Sequence, residues 1–389
     1  MKHKLKEKFI KIFEYSPTHS QIYFSPGRVN LIGEHIDYNG GLVFPAAIDL
    51  GTYGIVEARA DMIFKFYSLN FQDDGIITVD KNHLLYEEKH RWANYAKGII
   101  SELILRNFPI THGFDLLVYG TLPTASGLSS SASLELLTAW ICNEMFNLNL
   151  SREYLALLSQ HVENQYMGMH CGIMDQLVIA KGVKGRALLM NTATLETTPV
   201  PASFSGFEWV IMNTNYPRKT TDSKYNERRR ECKLALDIIK EHKNINYLCE
   251  LNEGELRKLK KYFSDIKIYN RAKHAVTEQM RTIQSKTAME NHDPITFANL
   301  LNQSHESLKN DYEVTGLELD TLVDSARKYG AIGARVTGAG FGGCAIALVP
   351  KTAVESFHQR VGDDYFSQTG IKASFHDVTF VDGVDIYVD

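Results

Sequence analysis

The chain has 389 residues, a length that exceeds one ordinary hydrophobic core and therefore favours two domains. Its composition, 44% hydrophobic and 23% charged residues, is typical of a globular protein, and no stretch approaches the ~18 consecutive apolar residues that a membrane span requires. A formal net charge of -4 argues against a general nucleic-acid binder, and no sequence feature indicates a membrane or a protein partner.

The N-terminal segment, residues 1–15, predicts an amphipathic surface helix, because Lys and Glu alternate with apolar residues. It lacks the uninterrupted apolar stretch of a signal peptide. The five cysteines are odd in number and include no Cys-x-x-Cys pair, which is typical of reduced thiols. We therefore expect a cytoplasmic protein.

Strand and helix patterns alternate through the first half of the chain. The strand pattern, short apolar runs separated by Gly and Pro, covers residues 22–54, 55–59, 63–67 and 114–119. Helical spacing of apolar residues covers residues 92–105, about 132–145 and about 153–164.

The second half opens with a strand pattern at residues 207–213 and a charged amphipathic helix over 225–242. Helical patterns then dominate to about residue 329, and strand patterns return at 332–349 and 374–388. Because Thr, Pro, Ser and Gly accumulate at 195–205, the domain boundary is predicted there. The predicted fold class is α/β of the α+β type, with an N-terminal α/β domain over residues 1–200 and a C-terminal α+β domain over 201–389.

A serine-rich loop, residues 122–133 (Leu-Pro-Thr-Ala-Ser-Gly-Leu-Ser-Ser-Ser-Ala-Ser), lies between a predicted strand and a long predicted helix. A helix N-terminus carries unpaired N–H donors and a partial positive charge, which suits a phosphate. Gly127 would let the backbone approach the anion, and the hydroxyls would add donors or an Mg²⁺ ligand. A plain serine N-cap is the alternative. The loop is not a Walker A motif, because no Gly-Lys-Ser or Gly-Lys-Thr follows.

A charged cluster lies near the N-terminus, where Arg28, Glu34, His35 and Asp37 fall within ten residues. Glycines in this segment exclude a long helix. Carboxylates and an imidazole on a tight loop can accept and donate hydrogen bonds at fixed positions, as several hydroxyls of a sugar require. A solvated surface turn is the alternative, but the interleaved aliphatic residues indicate partial burial.

A third glycine-rich segment, residues 338–343 (Gly-Ala-Gly-Phe-Gly-Gly), matches the Gly-x-Gly-x-x-Gly pattern of dinucleotide binding. That pattern needs a strand before it and a helix after it. Here the apolar run 344–349, ended by Pro350, predicts a strand instead. We therefore predict a glycine-rich hairpin, and a dehydrogenase is disfavoured.

The three motifs together resemble a known kinase superfamily. Residues 27–38 (Gly-Arg-Val-Asn-Leu-Ile-Gly-Glu-His-Ile-Asp-Tyr) resemble the galactokinase signature, whereas the loop at 127–133 and the turn at 338–343 resemble the second and third motifs of the galacto-, homoserine, mevalonate and phosphomevalonate kinases. The resemblance implies a two-domain small-molecule kinase with the active site in the cleft between the domains. It also implies galactose and MgATP as ligands and galactose 1-phosphate and ADP as products, the first committed step of galactose use by the Leloir route.

The resemblance also implies roles for individual residues. Asp175 matches the catalytic base, and Arg28 matches the cationic partner that stabilises charge in the transition state. The sugar-binding positions correspond to Glu34, His35, Ile36, Asp37, the Gly172 backbone and Tyr225. The nucleotide positions correspond to Ser68, Trp92, Tyr95, Ala125, Ser126, Gly127, Leu128, Ser129, Ser130 and Ser131. The two Mg²⁺ ligands correspond to Ser131 and Glu163.

Some alternatives stay open. Ala125 stands where family members often have a glycine, and we expect altered nucleotide affinity at most. Trp92 and Tyr95 could be core aromatics, and Asp175 taken alone could be a buried, hydrogen-bonded carboxylate. A kinase for another sugar, such as N-acetylgalactosamine, is one rival function. A sensor that binds galactose and ATP to control a partner is the other, and the intact Ser131-Ala132 pair disfavours it.

Overall fold

The computed structural model describes residues 1–123, 126–169, 171–216 and 221–388. The predicted nucleotide contact of Ala125 lies outside the described residues. The strands are β1 (Gln21–Asn30), β2 (Leu42–Val43), β3 (Pro45–Ala58), β4 (Ile63–Ser68), β5 (Ile77–Asp80), β6 (Phe114–Gly120), β7 (Arg186–Asn191), β8 (Thr197–Pro201), β9 (Phe207–Asn213), β10 (Gly333–Thr337), β11 (Cys344–Pro350), β12 (Ser374–Val378) and β13 (Asp385–Ile386).

The α-helices cover both halves of the chain. They are α1 (Lys2–Phe13), α2 (Ala93–Leu105), α3 (Ser130–Met145), α4 (Arg152–His161), α5 (Met174–Lys181), α6 (Thr221–Lys240), α7 (Glu253–Leu259), α8 (Ile266–Glu290), α9 (Pro294–Ser307), α10 (Leu317–Lys328) and α11 (Val354–Thr369). Two π-helical turns follow α4 and α9, at Val162–Tyr166 and Leu308–Tyr312. None of the helices in the described residues is long and apolar enough to cross a membrane.

The described strands form three sheets, in the orders β13-β1-β3-β6-β4-β5, β10-β11-β9-β12 and β2-β7-β8. All neighbours run antiparallel except β4 and β6, which are parallel. Helices cover the first sheet and share its core, in which Ile99 of α2, Leu116 of β6 and Leu136 of α3 are fully buried. Strands packed with helices in this way confirm the α/β fold class.

Helix α1 confirms the predicted amphipathic helix, but its apolar face is not at the surface. Leu5 and Phe9 are fully buried in a cluster with Ile22, Ile55 and Leu117 of the first sheet. Apolar residues four apart lie on one face of a helix, so the other face keeps its lysines in solvent. The helix therefore closes one side of the first sheet.

The glycine-rich segment 338–343 joins β10 to β11, which pair in antiparallel register from Gly333↔Leu348 to Thr337↔Cys344. The predicted hairpin is thereby confirmed. The strand pattern at 374–388 is only partly realised, because β12 and β13 belong to different sheets. β13 crosses to the first sheet and pairs Ile386 with Tyr23 of β1.

The proposed division at residues 200 and 201 stays a prediction. β8 ends at Pro201 in the three-stranded sheet, and β9 begins the four-stranded sheet at Phe207. The C-terminal residues return to the first sheet, where a bridge between Phe380 and Ile48 precedes the pairing of β13.

Candidate active site

A cleft of about 420 Å³ opens where β1, the serine-rich loop, α5, α6 and the β10–β11 hairpin meet. Most residues predicted for the sugar, the phosphates and the metal line this one cleft. They are Arg28, Glu34, His35, Asp37, Ser126, Gly127, Ser129, Ser130, Ser131, Glu163, Gly172, Asp175 and Tyr225.

Arg28 and Asp175 form a two-bonded ion pair in this cleft. Nε of the buried Arg28 donates to Oδ1 of Asp175, and Nη2 donates to Oδ2, both at 2.9 Å. The third nitrogen, Nη1, donates to the carbonyl of Gly127 at 2.6 Å. The Ser129 hydroxyl also donates to Oδ2 of Asp175. A bidentate pair fixes the plane of the carboxylate as well as its position, so the orientation of Asp175 is set from two sides.

Serine hydroxyls of the loop bind other elements and do not cap helix α3. Ser129 is the N-cap residue with φ 64°, yet within the described part of the chain its side chain makes no capping hydrogen bond. Ser131 donates to Oε1 of Glu163 at 2.9 Å, and Ser133 donates to the Ser25 carbonyl at 2.8 Å. The plain N-cap interpretation is therefore wrong for Ser129. The N–H groups in the first turn of α3 lie at the end of the helix that borders the cleft, where an anion can accept their hydrogen bonds.

Gly27 allows strand β1 to approach this loop closely. The pairing of β1 with β3 shifts register between Pro26 and Gly27, and the N–H of Arg28 then donates to the Leu128 carbonyl at 3.2 Å. A Cβ at position 27 would lie 2.8 Å from that same carbonyl oxygen. The absence of a side chain at Gly27 is thus what lets Arg28 reach Gly127 and Asp175 together.

Glu163 lies on the π-helical turn after α4 and is buried beside Ser131. Besides the Ser131 hydroxyl, it accepts Nε2 of Gln176 at 2.5 Å and the Cys171 thiol at 3.4 Å. Burial raises the pKa of Glu163, and the negative charge of Asp175 raises it further, against the hydrogen bond from Ser131. A hydroxyl next to a buried carboxylate is a pair of hard oxygen ligands.

Glu135 of α3 adds a second carboxyl group to this part of the core. Its side chain is fully buried, and its pKa is raised well above the usual range by burial and by the charge of Glu163. No group of three or more His, Cys, Asp or Glu in the described residues could hold a metal ion. A cation here would therefore need water or substrate oxygens to complete its shell, which is the usual situation for Mg²⁺.

His35 is a neutral imidazole with both ring nitrogens engaged. Nε2 lies 3.2 Å from the Ala339 carbonyl, which only accepts, so Nε2 carries the proton. Nδ1 then accepts from the Tyr38 hydroxyl at 2.8 Å. Burial and the nearby His274 together lower the pKa of His35 to about 3, so the ring stays uncharged at neutral pH. The His35 ring thus connects the segment of residues 31–37, called the charged loop below, with the third glycine motif.

Asp37 and Gly172 lie against each other across the cleft. A Cβ on Gly172 would overlap Oδ2 of Asp37, so the glycine leaves room for this carboxylate. Burial, with the charges of Asp175 and Glu34, raises the pKa of Asp37 to about 6. The ring of Tyr225 stands 5.7 Å from that of Tyr38, nearly at right angles, and forms the opposite wall.

Ile36 is the predicted sugar-site residue that the structure leaves outside the cleft. Its side chain is fully buried, and its carbonyl accepts the N–H groups of Asn39 and Gly41. Leu128 is likewise buried in the core, and its carbonyl accepts the N–H of Arg28.

A second cavity of about 240 Å³ adjoins the first and gathers the predicted base-binding residues Ser68, Trp92 and Tyr95. Ser130 and Ser131 line both cavities, so the two lie next to each other at the start of α3. Trp92 and Tyr95 also pack against the hydrophobic core, so their core role and their position at the cavity coexist. Nε1 of Trp92 is buried without a partner among the described residues.

Several cleft residues were not predicted from the sequence. Gly338 and Ala339 line the first cavity, and the third glycine motif was the signal that could have found them. Asn70 and Phe71 line the second cavity without belonging to any motif.

Comparisons with known proteins identify the family to which the chain is similar. Residues 7–58 match the galactokinase galactose-binding signature, residues 94–183 the N-terminal domain of GHMP kinases, and residues 285–368 their C-terminal domain. The galactokinase of Staphylococcus saprophyticus is 48% identical over 93% of this chain and 94% of its own length. The galactokinase of Clostridium beijerinckii is 47% identical over 97% of both chains.

Solved structures extend the comparison to the fold. The crystal structure of Lactococcus lactis galactokinase complexed with galactose superposes with a TM-score of 0.95, at 45% identity and 99% coverage of both chains. Methanococcus jannaschii mevalonate kinase shares the fold, with a TM-score of 0.66, 20% identity and coverage of 94% of this chain and 99% of its own. The resemblance found in the sequence motifs is confirmed, and the chain belongs to the galactokinase family of the GHMP kinases.

Proposed function

We propose that the protein transfers the γ-phosphoryl group of ATP to the C1 hydroxyl of α-D-galactose, giving galactose 1-phosphate and ADP. The observation that carries this proposal is the bidentate Arg28–Asp175 pair, set against the serine-rich loop in a cleft that also holds Glu34 and Asp37. Curated relatives named galactokinase, and the Lactococcus lactis galactokinase complexed with galactose, support the choice of sugar.

Asp175 is the proposed base. A carboxylate offers about four acceptor sites. On Asp175, Arg28 occupies two of these sites and the Ser129 hydroxyl occupies a third. One acceptor site is therefore left for the C1 hydroxyl. The hydroxyl proton passes to Asp175 as the C1 oxygen attacks the γ-phosphorus. Arg28 holds the carboxylate and offsets the charge that develops on the transferred group.

The phosphates of ATP are proposed to bind the serine-rich loop. The N-terminus of α3 presents backbone N–H groups and a partial positive charge to the cleft. Ser130 and Ser131 lie where the two cavities meet, so a nucleotide with its base near Trp92 and Tyr95 would reach Asp175 with its γ-phosphate. Phosphoryl transfer depends mainly on alignment of this kind.

Ser131 and Glu163 are the proposed residues for Mg²⁺. Their oxygens lie 2.9 Å apart, and burial raises the pKa of Glu163, so a cation bound beside this carboxylate would favour its charged form. Mg²⁺ bound there would hold phosphate oxygens and neutralise part of their charge.

Sugar recognition is assigned to Glu34, Asp37, the backbone of Gly172 and Tyr225, which surround the space in front of Asp175. Charged and hydroxyl groups on rigid elements select a pattern of hydroxyls rather than a shape alone. We also propose a cytoplasmic location, which the five free thiols support.

The test is ADP release measured with galactose, N-acetylgalactosamine, glucose and mevalonate. Galactose should give the highest kcat/KM, and Asp175→Ala should lower kcat by about 10³-fold or more while the Kd of ATP stays within about threefold. Asp363→Ala, at an exposed site on α11, is the control and should leave both unchanged. Faster turnover with N-acetylgalactosamine or mevalonate would contradict the sugar assignment. Near-normal turnover of Asp175→Ala would contradict the assigned base, and binding without ADP release would indicate a sensor.

A further inference from the structure

Arg335 is a fully buried arginine on β10, three residues before the glycine-rich turn. Each of its guanidinium nitrogens has a partner. Nε donates to the Val336 carbonyl at 2.7 Å, Nη1 donates to the Leu31 carbonyl at 2.9 Å, and Nη2 donates to Oε2 of Glu34. Arg335 does not line the cleft, so it acts on a ligand only through another residue.

Glu34 provides the opposite charge for this arginine, and it does line the cleft. A buried guanidinium without a partner would be strongly destabilising, so separating the Arg335–Glu34 pair would cost free energy. The N–H of Gly338 also donates to Oε2 of Glu34, at 3.1 Å. Because Arg335 and Gly338 both donate to Oε2, Oε1 can accept a hydrogen bond from a ligand, and the nearby Asn30 side chain also favours the charged carboxylate.

The main chain around Glu34 is fixed by a different element. The N–H groups of Gly33 and Glu34 donate to Oε1 of Glu278 on α8, at 3.0 and 3.3 Å. Nε2 of His274, also on α8, lies 3.0 Å from the Glu34 carbonyl. Loss of Arg335 would therefore remove the charged donor from the Glu34 carboxylate and leave the Gly338 N–H on Oε2, while α8 still held the main chain of Gly33 and Glu34.

We propose that Arg335 is a positioning residue for sugar recognition: it holds Oε2 of Glu34 so that Oε1 is presented to a sugar hydroxyl in the cleft. This inference rests on the proposed function, because it assumes that the ligand in front of Glu34 is a sugar. It also gives the third glycine motif a role at the sugar, since Gly338 supplies the second donor to the same oxygen.

The test is a double-mutant cycle on galactose binding, with Kd measured by titration calorimetry in the absence of nucleotide. Arg335→Met should weaken galactose binding by about 30-fold or more, because it leaves the buried carboxylate without its partner. The Kd of an ATP analogue should stay within about threefold. Arg335→Lys should recover part of the affinity. Arg335→Met added to Glu34→Gln should weaken binding little beyond Glu34→Gln alone, because the arginine acts through that glutamate.

Arg327→Met is the matched control. This arginine also donates to a carbonyl of β10, that of Ala334 at 3.0 Å, but its ion pair is with Glu306 and not with the charged loop. The control should leave the galactose Kd unchanged. If Arg335→Met does not fold, the same cycle with Arg335→Lys decides the question.

Equal losses of galactose and nucleotide affinity, or additive effects of Arg335→Met and Glu34→Gln, would overturn the inference and indicate a purely structural arginine. If Arg335→Met bound galactose as tightly as the wild-type protein does, the inference would also be overturned, but the proposed function would stay intact. A wild-type protein that binds no galactose would overturn the proposed function and the inference together.

Discussion

At the residue scale, the cleft concentrates carboxylates. Asp37, Glu34 and Asp175 share one cavity with the compensating Arg28. Burial raises the pKa of Asp37 from 3.8 to about 6, with contributions from Asp175 and Glu34. The folded protein therefore binds a proton at Asp37 in a pH range where the unfolded chain has released it. A site arranged to bind a polar ligand thus carries an electrostatic penalty when it is empty.

Asp37→Asn should for this reason stabilise the empty protein at pH 8. A raised native pKa means that stability falls as pH rises from 3.8 to about 6, and that the penalty is complete above that range. Removing the charge should increase the free energy of unfolding by about 1–2 kcal/mol at pH 8. This is less than the free energy that corresponds to a full two-unit pKa shift, because Asp37 faces an open cleft. Scanning calorimetry at pH 8 and pH 4 should show a higher Tm for Asp37→Asn only at pH 8.

Asp363→Asn provides the control for this prediction, because the exposed Asp363 lies outside the cleft and should give no difference between the two pH values. The same Asp37→Asn variant should bind galactose more weakly, since it loses an ionised acceptor. A lower Tm at pH 8, or an equal gain at both pH values, would contradict the electrostatic account.

At the element scale, the site depends on two departures from regular structure. The predicted helix over residues 153–164 ends at His161 and continues as a π-helical turn, and this turn carries Glu163 toward Ser131. Strand β1 shifts its register at Gly27 and thereby approaches the serine-rich loop. Irregular segments of both kinds occur often at functional sites, because they redirect a side chain that the regular element would point elsewhere.

Gly27→Ala should disturb the contact between β1 and the loop. The new Cβ would lie 2.8 Å from the Leu128 carbonyl, which is backbone and cannot rotate away. We expect a loss of about 1–3 kcal/mol in the free energy of unfolding, because overpacking forces the backbone to shift. The KM for ATP should rise together with this loss. Chemical denaturation and steady-state kinetics would measure the two effects.

Gly362→Ala is the matched control for this substitution. Gly362 lies inside α11, and its added Cβ would make an ordinary 3.4 Å contact with the Phe375 ring. Alanine at such a helical position should stabilise the protein by about 0.5–1 kcal/mol and leave the kinetics unchanged. If Gly27→Ala behaved like Gly362→Ala, the close approach would have no energetic role.

At the scale of the whole molecule, the three motifs are tied together by contacts between distant parts of the chain. Arg28 reaches Gly127, Glu34 accepts from Gly338, and His35 donates to Ala339. The chain ends also return to the first sheet, through α1 on one side and β13 at the edge. A ligand that binds the charged loop should therefore also reduce the local opening of the β10–β11 hairpin.

Galactose should slow hydrogen exchange in both segments at once. We expect increased protection of the amides at residues 31–37 and at 338–343, because the two segments share Glu34 and His35 contacts. Amides of α1 (Lys2–Phe13) pack on the first sheet away from the cleft and should be unaffected. Exchange with and without galactose, followed by mass spectrometry, would measure this. Protection confined to 31–37 would contradict the proposed link between the motifs.

The sequence by itself determined the residue types of the site and most of the elements that carry them. Strand β9 and the hairpin around residues 338–343 follow from apolar runs bounded by Gly and Pro, which are local signals. The family resemblance, confirmed by relatives of 47–48% identity, assigned Arg28 and Asp175 to one site although 147 positions separate them.

Only the tertiary structure decided which groups pair inside that site. The Arg335–Glu34 pair joins positions 301 apart, and Glu278 holds the same loop from a helix that no motif marks. The sequence pattern treated His35 as a sugar ligand, whereas folding engages both of its ring nitrogens with protein atoms. The physical reason is that a buried charge or polar atom costs free energy unless it has a partner, and the identity of that partner depends on three-dimensional proximity.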